Sequence, residues 1–498
     1  MNLDPLLPLF ALLTSFLTSI IIFFLKEEHH RTRTAFNMAG AILKVIVIGV
    51  MLWGVFHGHR YEFRLPLLPG LDLALHADAL AMLFAVLSAA LWLVTTIYAV
   101  GYLEGSPNRS RFFAFFSLCV TATMGISLAG NLFTFFIFYE SLTVATYPLV
   151  VHRGTARALR AGTVYLVYTL GGGAVLLVGV AWLHILAGPV EFTPGGVMAA
   201  LGTADRGALK AIFILLVLGL GVKAALVPLH SWLPIAMVAP APVSALLHAV
   251  AVVKAGAFGI VRVVYNVYGV EVVSALGGAF PLAVAASITI VYGSLLALRQ
   301  DELKRRLAYS TVSQLSYITL GVAIVGPLST IGGLVHLVHQ GIMKITLFFC
   351  AGNLSETLGV HRVQDMGGVG RRMPWTMGAF TVAAFGMIGV PPTAGFISKW
   401  YLGLGALEAG QPWVLAILIA STLLNAAYFL PILKAAWFGQ RSGAWPENHR
   451  AGRLETNWML LLPPLGTALA TLAAGLLANS AVSPLQWVEL IAQREYGP

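Results

Sequence analysis

The sequence predicts an all-α integral membrane protein of about fourteen transmembrane helices, with two inverted five-helix repeats and two broken helices. Three observations carry this. Of the 498 residues, 58% are hydrophobic and only 10% are charged, against about 25% charged in soluble domains. Apolar runs of about 20 residues, enough to cross a hydrocarbon core, recur along nearly the whole chain. Two of them, GLGVKAALVPLHSWLP and GVPPTAGFISKWYL, each combine a lysine with helix-breaking residues.

The runs fall at 3–25, 35–56, 75–101, 111–129, 131–151, 160–185, 209–232, 242–265, 277–298, 307–325, 330–350, 375–401, 410–437 and 458–479. The first, starting at Asn2, lacks a basic leader and a small-residue cleavage site, and reads as a retained helix. Very short connections near 130, 238 and 328 make the flanking spans antiparallel hairpins. In order, the runs give three leading helices in 1–110, a first repeat in 111–265, a second in 277–437, and a cytoplasmic loop with a last helix in 438–498. Successive blocks of five helices have opposite topology, and in each block the fourth span is the broken one. In the first, Lys223 precedes Pro228 and Pro234; in the second, Pro391, Pro392 and Gly395 precede Lys399. Transporters place discontinuous helices at matching positions of two halves, beside the transport site.

Lys and Arg in the connections set the orientation. Eighteen lie in odd-numbered connections, among them Lys26, Arg153, Lys304, Arg441, Arg450 and Arg453; five lie in even-numbered ones, namely Arg60, Arg64, Arg206, Lys210 and Arg262. The odd connections are therefore expected to be cytoplasmic and both termini outside, in a cell inner membrane. The same asymmetry accounts for the net charge of +10 without nucleic acid as a partner. Cys119 and Cys350 stand alone in apolar runs, which points away from disulfides and from iron–sulfur or zinc sites.

Inside the spans remain Glu140, Lys223, Lys254, Lys344 and Lys399, with His248, His336 and His339. A central charge costs about 2.5–3.5 kcal/mol on insertion scales, so five facing lipid would cost on the order of 15 kcal/mol. They are expected to face a hydrated bundle interior. Glu140 shares a helical stripe with Thr143 and Tyr147. A carboxylate and an ammonium held near each other have proton affinities that depend on their separation; a static ion pair is the competing reading. His336, Gln340 and Lys344 stand at i, i+4 and i+8, with His339 beside them, and suit proton passage through water; haem ligation or a helix–helix hydrogen bond are the alternatives. His248 and Lys254, six apart, do not share a helical face. Asp78 reads as a capping residue, and Lys44 as one that could snorkel to the interface. Lysines in place of clustered carboxylates and histidines argue against a metal site.

These segments resemble a known family. FFIFYESLTVATYPLV, GVKAALVPLHSWLP with APVSALLHAVAVVKAG, RRLAYSTVSQLSYITLG, HQGIMKITLFFCAGNL and GVPPTAGFISKWYL, spread over roughly 75–435, are similar to the antiporter-like subunits of respiratory complex I. They are also similar to the D-type subunit of Mrp multisubunit cation/proton antiporters and to membrane-bound hydrogenase relatives. The resemblance implies fourteen helices with two inverted repeats. It makes Glu140 and Lys223 the key pair, and His248 and Lys254 the central relay. His336 and Lys344 follow on the next relay helix, and Lys399 is the terminal group. Gln340 departs from the histidine of many relatives, and His339 is its neighbour. The PPTAGFISKW wording leans toward the Mrp and hydrogenase branches.

The expected function is thus proton translocation within a multisubunit membrane complex of homologous subunits, most simply monovalent cation (Na+)/proton antiport. A redox-driven complex is the alternative. A non-conducting anchor for a soluble enzyme and a stand-alone solute carrier are readings of other classes. No phosphate-binding loop, dinucleotide fingerprint or redox ligand set is present, so no cofactor and no catalytic residue are expected in this chain, and partner subunits supply the drive.

Overall fold

Lipid offers the backbone no hydrogen bonds, so each apolar run must satisfy its own amides as helix. The computed structural model describes residues 4–198, 205–440, 445 and 455–497. Twenty α-helices run through them. They are α1 (Leu7–Phe24), α2 (His30–Phe56), α3 (Ala79–Tyr102), α4 (Arg109–Ser127), α5 (Leu132–Val150), α6 (Ala156–Ala187), α7 (Arg206–Lys223) and α8 (Trp232–Ile235). Next come α9 (Ala241–Ala249), α10 (Val252–Arg262), α11 (Val270–Ala275), α12 (Ala279–Leu298), α13 (Leu303–Ala323), α14 (Pro327–Leu358), α15 (Val369–Arg372) and α16 (Pro374–Ile388). The last are α17 (Ala394–Glu408), α18 (Trp413–Phe438), α19 (Trp458–Leu476) and α20 (Pro484–Tyr496).

Eleven helical stretches among the described residues are long and apolar enough to cross a membrane. The protein is a helical, multi-pass membrane protein. Not all of it is helix: β1 (Glu62–Leu68) and β2 (Leu71–His76) form an antiparallel hairpin between α2 and α3. The hairpin is pinned to the bundle by Ala74 N–H donating to Thr134 Oγ1 at 2.8 Å and His76 N–H to Leu128 O at 2.7 Å. Of the basic residues counted in the connections, Arg441, Arg450 and Arg453 lie outside the described residues.

The polar spans sit at the centre. The stretch Ala241–Tyr268 is wholly buried and α14 is buried over most of its length, whereas α6 and α18 are buried on one face only and form the periphery. Three interruptions break the central helices. Residues 224–231 separate α7 from α8, and 389–393 separate α16 from α17, as expected. Pro228, Pro391 and Pro392 lie in those breaks, but Pro234 lies inside α8 and Gly395 in the first turn of α17. A proline there forfeits no helical bond, and Gly395 lets α17 approach the Gly386 carbonyl of α16 more closely than a Cβ would allow.

The third interruption, at Val250–Ala251, splits a helix expected to be continuous over 242–265. It falls between His248 and Lys254, so helical periodicity does not relate these two residues. Two side chains also lie elsewhere than expected. Arg262 is not a loop residue: it is buried in α10 and forms a bidentate pair with Asp78 at 2.6 and 3.0 Å. Asp78 also caps α3, accepting from Ala81 N–H at 2.6 Å. Lys44 does not snorkel: it is fully buried and donates to Ser15 Oγ at 2.7 Å.

Candidate functional site: a buried line of lysines and histidines

Lys223 is the last residue of α7 and is fully buried. Its ammonium donates to Tyr139 O and lies 3.4 Å from the centre of the Tyr139 ring on α5. Glu140 Oε1 is 3.8 Å away. The pair is close enough for strong attraction yet too long for a hydrogen bond. The break below it is held locally: Trp232 Nε1 donates to Val222 O at 2.8 Å, and Val227 N–H to Thr289 Oγ1 at 3.0 Å. Gly173 on α6 makes room for the carboxylate, since a Cβ there would overlap it. Nothing in the GGG run of the sequence signals this.

Further in, α14 is the common wall. Lys254 donates to Leu337 O at 2.6 Å, and His248 stacks on Phe348 with centroids 4.6 Å apart. His248 Nε2 is 3.2 Å from Met237 S. Lys344 donates to Leu307 O at 3.2 Å and to Ser310 Oγ, both on α13. His336 lies against Tyr317 of α13, centroids 5.1 Å apart, and the Lys399 ammonium is 5.7 Å from that same ring. Tyr317, inside the RRLAYSTVSQLSYITLG segment, is therefore a member of the site that a reading of charged residues alone passes over. His339 Nδ1 is 3.0 Å from Ser398 Oγ, next to Lys399. Lys399 folds back over the second break and donates to Ile388 O at 2.6 Å, Met387 O at 3.3 Å and Thr422 Oγ1 at 3.1 Å. It thereby caps the carbonyl end of α16, where the helix dipole favours a cation.

Lys254, His336, His339, Lys344 and Lys399, with His248 against Phe348, thus gather on and around α14, while Glu140 and Lys223 stand apart on α5 and α7 and are, of the eight expected residues, the only two in direct ion-pair contact. The others are joined by carbonyls, hydroxyls and rings. Many polar atoms between them have no hydrogen-bond partner of ordinary geometry: His248 Nδ1, both His336 nitrogens, His339 Nε2, the amides of Gln314 and Gln340, and Tyr317 Oη. A buried polar atom left unpaired costs about 1–3 kcal/mol. Summed over these nine atoms, a dry interior would cost on the order of 10–25 kcal/mol, comparable to or above a domain's usual stability of about 5–15 kcal/mol. Water bridging these groups relieves that cost. The two ends open on different flanks. Glu140 lines a cleft of about 700 Å³ between α1, α4 and α5, and Lys399 one of about 440 Å³ between α17 and α18.

Such a bundle, with broken helices and buried ionisable groups in its interior, defines a class of membrane subunits that handle ions. Residues 129–425 match the family described as NADH:quinone oxidoreductase/Mrp antiporter, TM, and residues 70–113 match that of the complex I chain 5 N-terminus. The chain belongs to the NADH:quinone oxidoreductase/Mrp antiporter family. It is 36% identical over 428 residues to NADH-quinone oxidoreductase subunit N of Desulforudis audaxviator, covering 83% of each chain. It is 27% identical over 469 residues to the D-type subunit of the Na+/H+ antiporter of Alkalihalophilus pseudofirmus, covering 93% of this chain and 92% of that one. The fold matches a chain of the Mrp complex from Dietzia sp. with a TM-score of 0.84 at 24% identity, over 100% and 98% of the two chains. It also matches a chain of an archaeal membrane-bound sulfane sulfur reductase with a TM-score of 0.85 at 25% identity, over 99% and 98%.

Proposed function

We propose that this chain is the proton-translocating subunit of a multisubunit membrane complex, working as a monovalent cation/proton antiporter of Mrp type. What supports the reading is the succession of ionisable groups from the Glu140–Lys223 pair, past Lys254, His248 and the His336–His339–Lys344 helix, to Lys399, with buried polar atoms among them that have no protein partner and call for water. Protons load near Glu140, the Glu140–Lys223 separation gates transfer, and release occurs near Lys399. The 36% identity to a quinone oxidoreductase subunit favours a second reading, in which the same line is driven by a redox arm.

The finer architecture belongs to this proposal. Fourteen spans result if α7, α13, α9–α10 and the pair α16–α17 each count as one crossing beside the other long helices. They group as 1–110, inverted repeats 111–265 and 277–437, and 438–498, with both termini outside the cell inner membrane. The clefts at Glu140 and Lys399, on different flanks, fit head-to-tail stacking with homologous subunits.

The test is transport by the assembled complex in vesicles, with a pH-sensitive dye inside and Na+ varied outside. Glu140→Gln and Lys399→Ala should each abolish proton movement while the complex still assembles. Normal transport in both variants would refute the reading, and transport that requires a quinone substrate but no Na+ would select the redox-driven form.

A further inference from the structure

Outside the line from Glu140 to Lys399, the first four long helices hold a second buried polar system. Its centre is Lys44 on α2. Besides Ser15, its ammonium has the Trp92 ring of α3, 5.1 Å from the ring centre. No carboxylate stands within ion-pair distance of it among the described residues. Ser15 Oγ is in turn 2.8 Å from Thr121 Oγ1 on α4. Thr121 opens onto the same cleft of about 700 Å³ that Glu140 lines. One end of this chain of contacts therefore reaches the space beside the gating carboxylate.

The other end reaches the surface. Arg33, Asn37 and Lys44 stand at i, i+4 and i+11 on α2, within about 40° of one another around the axis. Ser110, Ser117 and Thr121 stand at i, i+7 and i+11 on α4, again within about 40°. The two rows are tied at both ends: Arg33 Nη1 donates to Ser110 Oγ at 2.8 Å, and Lys44 reaches Thr121 through Ser15. The ties are equally spaced on the two helices, so each row advances about 16 Å, half of a hydrocarbon core of about 30 Å. Arg33 lies in the first turn of α2, beside the exposed residues 26–30, and Glu27 is 3.8 Å from it at the mouth. Between the ties, both amide atoms of Asn37 and Ser117 Oγ are buried without a partner. Pure packing contacts would satisfy one another; buried polar groups left without a partner on both rows call for water.

We propose that this column is a water-filled proton inlet to Glu140, with Lys44 as its loading group. The inference rests on the reading of Glu140 as the carboxylate that passes protons on. Lys44 gives one proton through Ser15, Thr121 and water held between the Thr121 hydroxyl and the Glu140 carboxylate, two polar groups that share a largely apolar cleft, becoming a neutral amine as Glu140 becomes a carboxylic acid. One proton arriving past Arg33 and Asn37 recharges it, so nothing else is consumed.

The assembled complex in dye-loaded vesicles tests this. Lys44→Met should slow proton transport at least tenfold, and Thr121→Val, which keeps shape and loses the hydroxyl, severalfold. Lys44→Arg separates relay from scaffold, because a guanidinium keeps the charge and the donors but does not release its proton. It should be as slow as Lys44→Met; wild-type rates in Lys44→Arg would overturn the inlet. Asn37→Cys should react with a small charged thiol reagent well above the wild-type chain, whose Cys119 and Cys350 are buried. No reaction beyond wild type would also overturn it. Glu140→Gln in the same vesicles distinguishes the two failures. If it stops transport while Lys44→Met does not, the inlet is wrong and the Glu140 reading stands. If Glu140→Gln transports normally, that reading fails and takes the inlet with it.

Discussion

Gly173→Ala probes the gate without touching either charge. A Cβ at Gly173 would stand 2.8 Å from Glu140 Oε2 and closer still to Oε1, the oxygen that faces Lys223, whereas ordinary contact begins at 3.4 Å. The obstacle is the far end of a flexible side chain, so the helix can stay while the carboxylate moves by about 1 Å, as close packing demands. At the native 3.8 Å, two unit charges in a medium of effective dielectric about 20 attract by about 4 kcal/mol. Widening the gap by about 1 Å removes about 1 kcal/mol, roughly fivefold in the equilibrium that favours the ionic pair. Transport by the assembled complex should slow about fivefold. A double-mutant cycle assigns the cause. Glu140→Asp withdraws the carboxylate by one methylene and vacates the space, so adding Gly173→Ala to it should cost nothing more. Wild-type transport in Gly173→Ala refutes the argument. Equal slowing in both backgrounds refutes it too, because the effect would then belong to α6 packing.

Asp78→Asn keeps the cap on α3, since asparagine caps as well as aspartate, but leaves Arg262 buried without its counter-charge. Breaking such a pair costs about 3–5 kcal/mol, so the melting midpoint of the detergent-solubilised protein should fall by several degrees; an unchanged midpoint would deny the pair a stabilising role. His152, in the turn after α5, is held down to about 4 from 6.5 by burial and by the neighbouring Arg111 and Arg153 charges. Its folded-state affinity for a proton is depressed, so the stability it contributes is present above pH 6.5 and is lost as pH falls from there toward about 4. His152→Gln should flatten that part of the stability–pH curve, and an equal slope in both proteins would exclude this residue.

The helices were legible because lipid leaves the backbone no alternative, and the two proline-marked breaks were legible because proline and glycine punctuate a run that otherwise has no reason to stop. The break at Val250–Ala251 had no such mark. It sits where Ala249 O meets Gly341 of α14 and where Gly256 of α10 lies against the backbone of Lys223 and Ala224, so tertiary packing sets it. Charge counting placed most basic residues at helix ends, but it misplaced Arg262, whose counter-ion Asp78 lies 184 residues away. The ionisable members of the candidate site were visible because a charge in an apolar run demands a reason. Gly173 and Tyr317 were not, because their contribution is space and an aromatic bridge, and neither leaves a charge in the pattern.

The partners of the buried lysines explain why the line tolerates so few carboxylates. Lys254, Lys344 and Lys399 each donate to a backbone carbonyl, and none has a carboxylate within ion-pair distance among the described residues. A carbonyl accepts from an ammonium or from a neutral amine alike, and it carries a second lone pair beyond its helical bond. A lysine so placed can lose its proton and still be hydrogen-bonded, with no counter-charge left behind. Had each lysine been paired with glutamate, every proton departure would strand a buried carboxylate, at about 3–5 kcal/mol, and the line would be a row of traps. Only at Lys223 does a carboxylate stand opposite. Proton loss there uncovers the charge of Glu140, so that pair is the one place on the line where a change of separation by about 1 Å alters the balance of protonation by about 1 kcal/mol. On the proposed function, the gate belongs at this pair, where the energy depends on distance, and the carbonyl-bound lysines beyond it are assigned to passage.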